Sequence, residues 1–175
     1  SLRRNVVTPL CAALAQMGIP HRLYASRNLL EVYAREQTLR FYLFGGRDEG
    51  SAALIQGVTL SGVLLDEVVL MPRSFVEQAL ARCSVEGSKF FFCCNPEHPH
   101  HWFYTEWILR VKERNALYLR FTMEDNPGLS PAIRERYRRL YTGAFYQRFV
   151  LGRWVAAHGA VYSMFGKEHV VDRVP

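Results

Sequence analysis

The chain has 175 residues, 49% of them hydrophobic and 22% charged, with a formal net charge of +6. This composition supports one packed domain with at most a small appendage and excludes wholesale disorder. No apolar run approaches the ~20 residues needed to span a bilayer, and "SLRRNVV" is not followed by the long apolar core of a secretory signal.

In chain order, "PLCAALAQM" (9–17) puts Leu10, Ala13, Leu14 and Met17 on one helical face. Thr8 is the expected N-cap, Pro9 the first helical residue, and "GIP" the stop. Three β-like runs follow, at 21–26, 28–35 and 38–44, and their short polar joints predict antiparallel hairpins. "GGRDEG" (45–50) reads as a loop. "GVLLDE" (62–67) is apolar up to its acids rather than alternating, which predicts a buried strand. "RSFVEQALARC" (73–83) reads as a helix with Val76, Ala79, Leu80 and Cys83 on one face. "SKFFFCC" (88–94) predicts a second buried strand running into "NPEHPHH", and "ALYLRFTM" (116–123) a third strand. Ser130 caps a helix with Pro131 at its first position. The aromatic-rich stretch 143–165 is expected to pack back as a short helix and a strand. Apolar strands alternating with helices predict an α/β fold around a largely parallel sheet.

Two adjacent acids, Asp66 and Glu67, end the first of these apolar strands. Burying them is costly unless a cation or a reacting group meets them. In parallel sheets ligands bind at the carboxyl ends of strands. An acid there is the Walker B arrangement: Asp66 would hold Mg²⁺, and Glu67 would polarise the water that attacks a γ-phosphate. The rival reading is an acid pair that opens a helix. Asn95, at the end of the next apolar strand with a helix between the two, could sense the γ-phosphate or orient the same water. Together they describe a βαβ nucleotide site.

The ordered combination of "IQGVTLSGVLLDE", "ARCSVEGSK" and "NPEHPHHW" resembles the ATPase region of phage terminase large subunits of the type found in Gram-positive prophages. The resemblance extends through "LYLRFTMEDNPGLS" and "YTGAFYQRFVLGRWVAAHGAVYSMF", and so covers nearly the whole chain. It implies an incomplete P-loop NTPase of the catalytic-glutamate type, with an ATPase core at 1–123 and a lid or linker subdomain at 124–175. It implies an ATP- and Mg²⁺-dependent motor that packs double-stranded DNA into capsids. Asp66 and Glu67 would be its Walker B pair, and Cys94, Asn95 and Pro96 a motif coupling hydrolysis to DNA movement. The implied partners are the portal protein, the terminase small subunit and further copies in a ring, in the cytoplasm of a bacterial host and without a membrane. No GxxxxGK[ST] occurs, and the nearest fragment is "FGKEH". The resemblance therefore leads us to expect a P-loop upstream of Ser1, a nuclease domain after Pro175, and no ATPase activity from this chain alone.

Other features carry weaker readings. "CCNPEHPHH" holds Cys93, Cys94, His98, His100 and His101, but adjacent strand cysteines face opposite ways and suit a single zinc ion poorly. The four cysteines form neither a disulfide framework nor a CxxC pair, which fits a reducing compartment. Six arginines crowd 134–153 (Arg134, Arg136, Arg138, Arg139, Arg148 and Arg153) against Glu135. Arg134, Arg138 and Arg139 are candidate DNA contacts, with a solvated helix face as the plainer reading. Arg47 and Arg82 are candidate arginine fingers for a neighbouring subunit, with surface ion pairing as the commoner fate. A non-catalytic DNA- or partner-binding remnant of such a motor is the rival function. A nuclease built on Asp48, Glu49, Asp66 and Glu67 is the weakest reading, because these acids form two sequential pairs.

Overall fold

The computed structural model describes residues 2–156. The chain divides into two compact units, Ser1–Cys94 and Asn95–Pro175, and the boundary expected after residue 123 falls inside the second.

In the first unit, helix α1 (Thr8–Gln16) continues a π-helical turn, Arg3–Val7. Thr8 is thus no N-cap. "RRNVV" contains no breaker, so helical backbone begins upstream, and the Thr8 hydroxyl donates back to the Arg3 carbonyl at 3.0 Å. The expected hairpins form as β1 (His21–Tyr24), β2 (Leu29–Ala34) and β3 (Gln37–Tyr42), in that spatial order. Leu30 pairs with Leu23 on one side and Phe41 on the other, and Val32 with His21 and Leu39. Two-residue alternation puts Leu30 and Val32 on one face, where they pack with Leu14 of α1, and with Leu10, Cys11, Ile19 and Leu23 around them.

Downstream, Asp48 and Ser51 form a capping box that opens the 3₁₀ segment Glu49–Ile55. That segment lies against α2 (Arg73–Arg82). A Cβ on Gly46 would come within 2.5 Å of the Phe75 ring, so the close approach requires glycine. Ile55, Leu65, Val68, Phe75, Val76 and Ala79 are buried in this part of the unit. Strand β4 (Gly62–Asp66) pairs in parallel with β5 (Lys89–Cys93), and α2 is the crossover between them. The register begins at Gly62 opposite Lys89, where a Cβ would lie 2.7 Å from the Lys89 carbonyl oxygen.

Two expectations fail here. Neither β4 nor β5 is a buried strand: Leu65 is covered, but Leu64 is 55%, Phe90 40% and Phe91 61% exposed. Among the described residues these strands pair only with each other, so the parallel sheet has two strands and little to cover its second face. Residues 116–123 form no strand, and Leu117, Leu119 and Phe121 are exposed. An apolar run becomes a strand only beside a partner edge, and the described part of the second unit contains no strand at all. Met123, buried, instead starts the 3₁₀ turn Met123–Asp125, which Thr122 and Asp125 close with a capping box.

The second unit also holds the π-helical turn Tyr104–Ile108 and helix α3 (Pro131–Leu140). The expected cap is present, with Ser130 Oγ accepting from the Ile133 N–H at 3.3 Å. Helix α4 (Gly143–Phe145) runs into the π-helical turn Tyr146–Val150. The strand expected further along falls outside the described residues.

An exposed apolar parallel pair whose edges meet no strand among the described residues is an association site. At high concentration the 175-residue chain is therefore expected to give a light-scattering mass above that of a monomer. Phe91→Lys should shift it toward the monomer. A monomeric parent would exclude these edges as a contact.

Candidate functional site

Asp66 and Glu67 stand at the carboxyl end of β4, half-buried. The register sets Asp66 directly opposite Cys93, and the Cys93 thiol donates to Asp66 Oδ1 at 2.9 Å. Burial, followed by that hydrogen bond to Asp66, pushes the Cys93 thiol up to about 11. Burial, followed by the Glu67 carboxylate, pushes Cys94 up to about 12. Both cysteines are therefore held as neutral thiols near pH 7, where they are poor nucleophiles.

Glu67 holds left-handed backbone, φ 57° and ψ 47°. For a residue with a Cβ this costs about 1 kcal/mol. What fixes it is the next turn: Val68 is fully buried, and the Leu70 N–H donates to the Glu67 carbonyl at 2.9 Å in the 3₁₀ turn Val68–Leu70. Strain of this kind persists where the surroundings over-determine it, and it concentrates at functional sites.

The other candidates are placed as follows. Asn95 is exposed and opens the second unit, joined to β5 through Cys94. Arg47 is exposed, and its backbone N–H donates to Ser51 Oγ at 3.2 Å. Arg82 ends α2, with its guanidinium 3.1 Å from the Gln78 carboxamide. Its carbonyl accepts from Leu60 at 2.8 Å, beside the start of β4 and thus at the end of the strand opposite Asp66.

In the second unit, Arg134 and Arg138 share Glu124, while Arg138 and Arg139 share Glu135. Arg139 keeps 79% of its side chain exposed. Aromatic rings continue this surface, from Tyr137 through Tyr141 and Phe145 to Phe149, with centroids 5.3–6.3 Å apart. The structure therefore groups Asp66, Glu67 and Cys93, and ties most of the arginines of α3 to acids. Sequence reasoning misses Cys93 as a partner of Asp66, because that role depends on a strand register that only the folded pair defines. Glu97 is missed in the same way: it pairs with Arg148 at 2.6 Å.

Among the described residues no three His, Cys, Asp or Glu side chains converge as a metal cluster. His98 and His100 are exposed, with ring centroids 5.2 Å apart. A single strand-end carboxylate does fit Mg²⁺, which takes one or two protein carboxylates and completes its shell with water and phosphate oxygens.

Residues 11–166 match the family model described as "Terminase large subunit, T4likevirus-type, N-terminal". Among solved structures, the large terminase of a thermophilic bacteriophage (crystal form 2) is 52% identical, with a TM-score of 0.86 over 99% of this chain and 43% of that one. The same terminase in complex with ADP is 50% identical, again with a TM-score of 0.86 and the same coverage of 99% and 43%. Its complex with ATP-gamma-S is 49% identical, with a TM-score of 0.82 over 96% of this chain and 40% of that one. No curated protein matches. The chain spans about 43% of the length of the first of these structures. On this match of 156 residues and an identity of 52%, the chain belongs to the terminase large subunits and corresponds to their N-terminal region.

Proposed function

We propose that this chain carries the hydrolytic half of an ATP-driven motor that packages double-stranded DNA into a phage capsid. The observation that supports this reading is the pair Asp66–Glu67 at the carboxyl end of a parallel strand, with Glu67 held in left-handed backbone. Related structures are complexes with ADP and with ATP-gamma-S, and that supports a nucleotide as the ligand.

In this reading Asp66 is the residue that would hold Mg²⁺, which when bound neutralises charge on the nucleotide phosphates. Glu67 orients the attacking water and accepts its proton. Asn95 follows the strand that pairs with β4, and is assigned to sensing the phosphate and passing the event along the turn 95–101. Residues 124–175 act as the lid or linker. Arg139, the most exposed of Arg134, Arg138 and Arg139, is the favoured DNA contact, and Arg47 and Arg82 are finger candidates toward a neighbouring copy. The portal protein, the small subunit and a ring of copies are the partners, in the cytoplasm of a bacterial host.

Asp66→Asn tests the assignment in the whole large subunit. It removes a charge but little volume, so the fold should persist while Mg²⁺-dependent nucleotide binding weakens by roughly tenfold or more. Calorimetry with ATP-gamma-S across Mg²⁺ concentrations reads this directly. An unchanged Mg²⁺ dependence would take Asp66 out of the site.

A further inference from the structure

Asp66 ends a strand, where a carboxylate can rotate among several orientations. Opposite it the register places Cys93, whose thiol donates to Asp66 Oδ1 at 2.9 Å. We propose that Cys93 is a positioning residue for the Asp66 carboxylate, its S–H fixing the orientation in which Asp66 receives a divalent cation. This rests on the reading of Asp66 as the cation-holding residue.

Three observations carry it. First, the Cys93 thiol donates directly to the Asp66 carboxylate. Second, the contact is built by backbone pairing. Paired positions on neighbouring strands project to the same face, so the thiol reaches Asp66 wherever the β4–β5 register holds. Cys94, one residue on, lies beyond the end of β5 and is not in the paired register. Third, the chemistry suits the task. A thiol occupies one of about four acceptor positions on a carboxylate and leaves the rest for a cation and its waters. It also brings no charge. A lysine or arginine in its place would orient Asp66 equally well but would compete electrostatically with the cation. A hydrogen bond to an ionised acceptor is stronger than one between neutral groups, so even a weak S–H donor holds the carboxylate.

Outer-shell partners of metal ligands are worth about 10- to 100-fold in metal affinity, and a thiol belongs at the lower end of that range. In the whole large subunit, Cys93→Ala is expected to raise the Mg²⁺ concentration that half-saturates ATP-gamma-S binding by roughly tenfold. Turnover at saturating Mg²⁺ should change far less. Cys93→Ser keeps a donor and should restore the parent Mg²⁺ dependence. Calorimetric titration with Mn²⁺ gives the same comparison without catalysis. Cys93→Val, similar in volume but without a donor, replaces Cys93→Ala if the latter does not fold.

If Ala or Val retains the parent Mg²⁺ dependence while Asp66→Asn loses it, the Cys93 role is overturned and the reading of Asp66 stands. If Ser is as impaired as Ala, the hydrogen bond is not the cause and the proposal also fails. If Asp66→Asn itself keeps the parent dependence, the underlying reading of the site fails instead.

Discussion

Glu67→Gln in the whole large subunit is expected to bind nucleotide as the parent does and to lose ATP turnover by ~10²-fold or more, the scale of a general base that positions water. The amide keeps the volume of the side chain and one acceptor oxygen, so binding and fold persist. What it loses is the capacity to take the proton from water as the new bond to phosphorus forms. Glu67 also sits at φ 57°, which provides a second variant with a different signature. Glu67→Gly removes the Cβ that makes left-handed backbone costly, so it should be more stable than the parent by up to about 1 kcal/mol. It should nevertheless be as inactive as the Gln variant. Stability and activity moving in opposite directions would identify a residue whose strain serves the site. Turnover, nucleotide affinity and thermal midpoint measured on both variants check this, and normal turnover in Glu67→Gln would remove Glu67 from the mechanism.

The elements legible in the sequence were those whose signals are local. The three hairpin strands announced themselves through polar joints between apolar runs, and the α3 cap through Ser130 and Pro131 side by side. The β4–α2–β5 unit followed from two continuous apolar runs on either side of a helical pattern. Thr8 misled because a helix cap depends on where helical backbone begins, and "RRNVV" extends it upstream. The buried reading of "KFFFC" failed for a different reason. A continuous apolar run reports that a strand is suited to burial, not that anything covers it, and Phe91 remains 61% exposed. The same ambiguity turned 116–123 into an expected strand. Asp66 and Glu67 stand out in the sequence as candidates because adjacent acids after an apolar run are costly to bury, and the structure puts them half-buried at the end of β4. Neither the left-handed backbone of Glu67 nor the thiol on Asp66 was readable: one is imposed by the buried turn at Val68, the other by a register 27 residues away in sequence. For the α3 arginines, candidate DNA contacts or a solvated face, the ion pairs of Arg134 and Arg138 were not readable because their partner Glu124 lies outside the helix.

The second large effect is expected at Arg148, whose replacement by alanine should destabilise the second unit by about 2 kcal/mol, between the values for exposed and buried ion pairs. Its guanidinium meets both oxygens of Glu97, at 2.6 and 3.0 Å, and its Nε and Nη2 donate to the Val155 carbonyl at 3.1 and 2.8 Å. Only 12% of the Arg148 side chain is exposed, against 37% for Glu97. A fully exposed pair would be worth about 0–1 kcal/mol, and breaking a fully buried one costs about 3–5 kcal/mol. A covered cation with a half-open carboxylate falls between them. The planar fork is what serves both partners at once, so Arg148→Lys should recover only part of the loss. Arg139→Ala is the control: at 79% exposure and paired with Glu135, it should stay within about 0.5 kcal/mol of the parent. The pair matters beyond stability because Glu97 lies two residues after Asn95, in the turn that leaves β5. Through it, and through the stacking of Tyr104 on Trp154 at 4.6 Å, that turn is anchored to the segment 148–155. Denaturant unfolding of the three variants measures the ordering. Equal stabilities for Arg148→Ala and Arg139→Ala would mean that the Glu97 contact carries no more weight than a surface pair, and that the turn is held by its aromatic contacts instead.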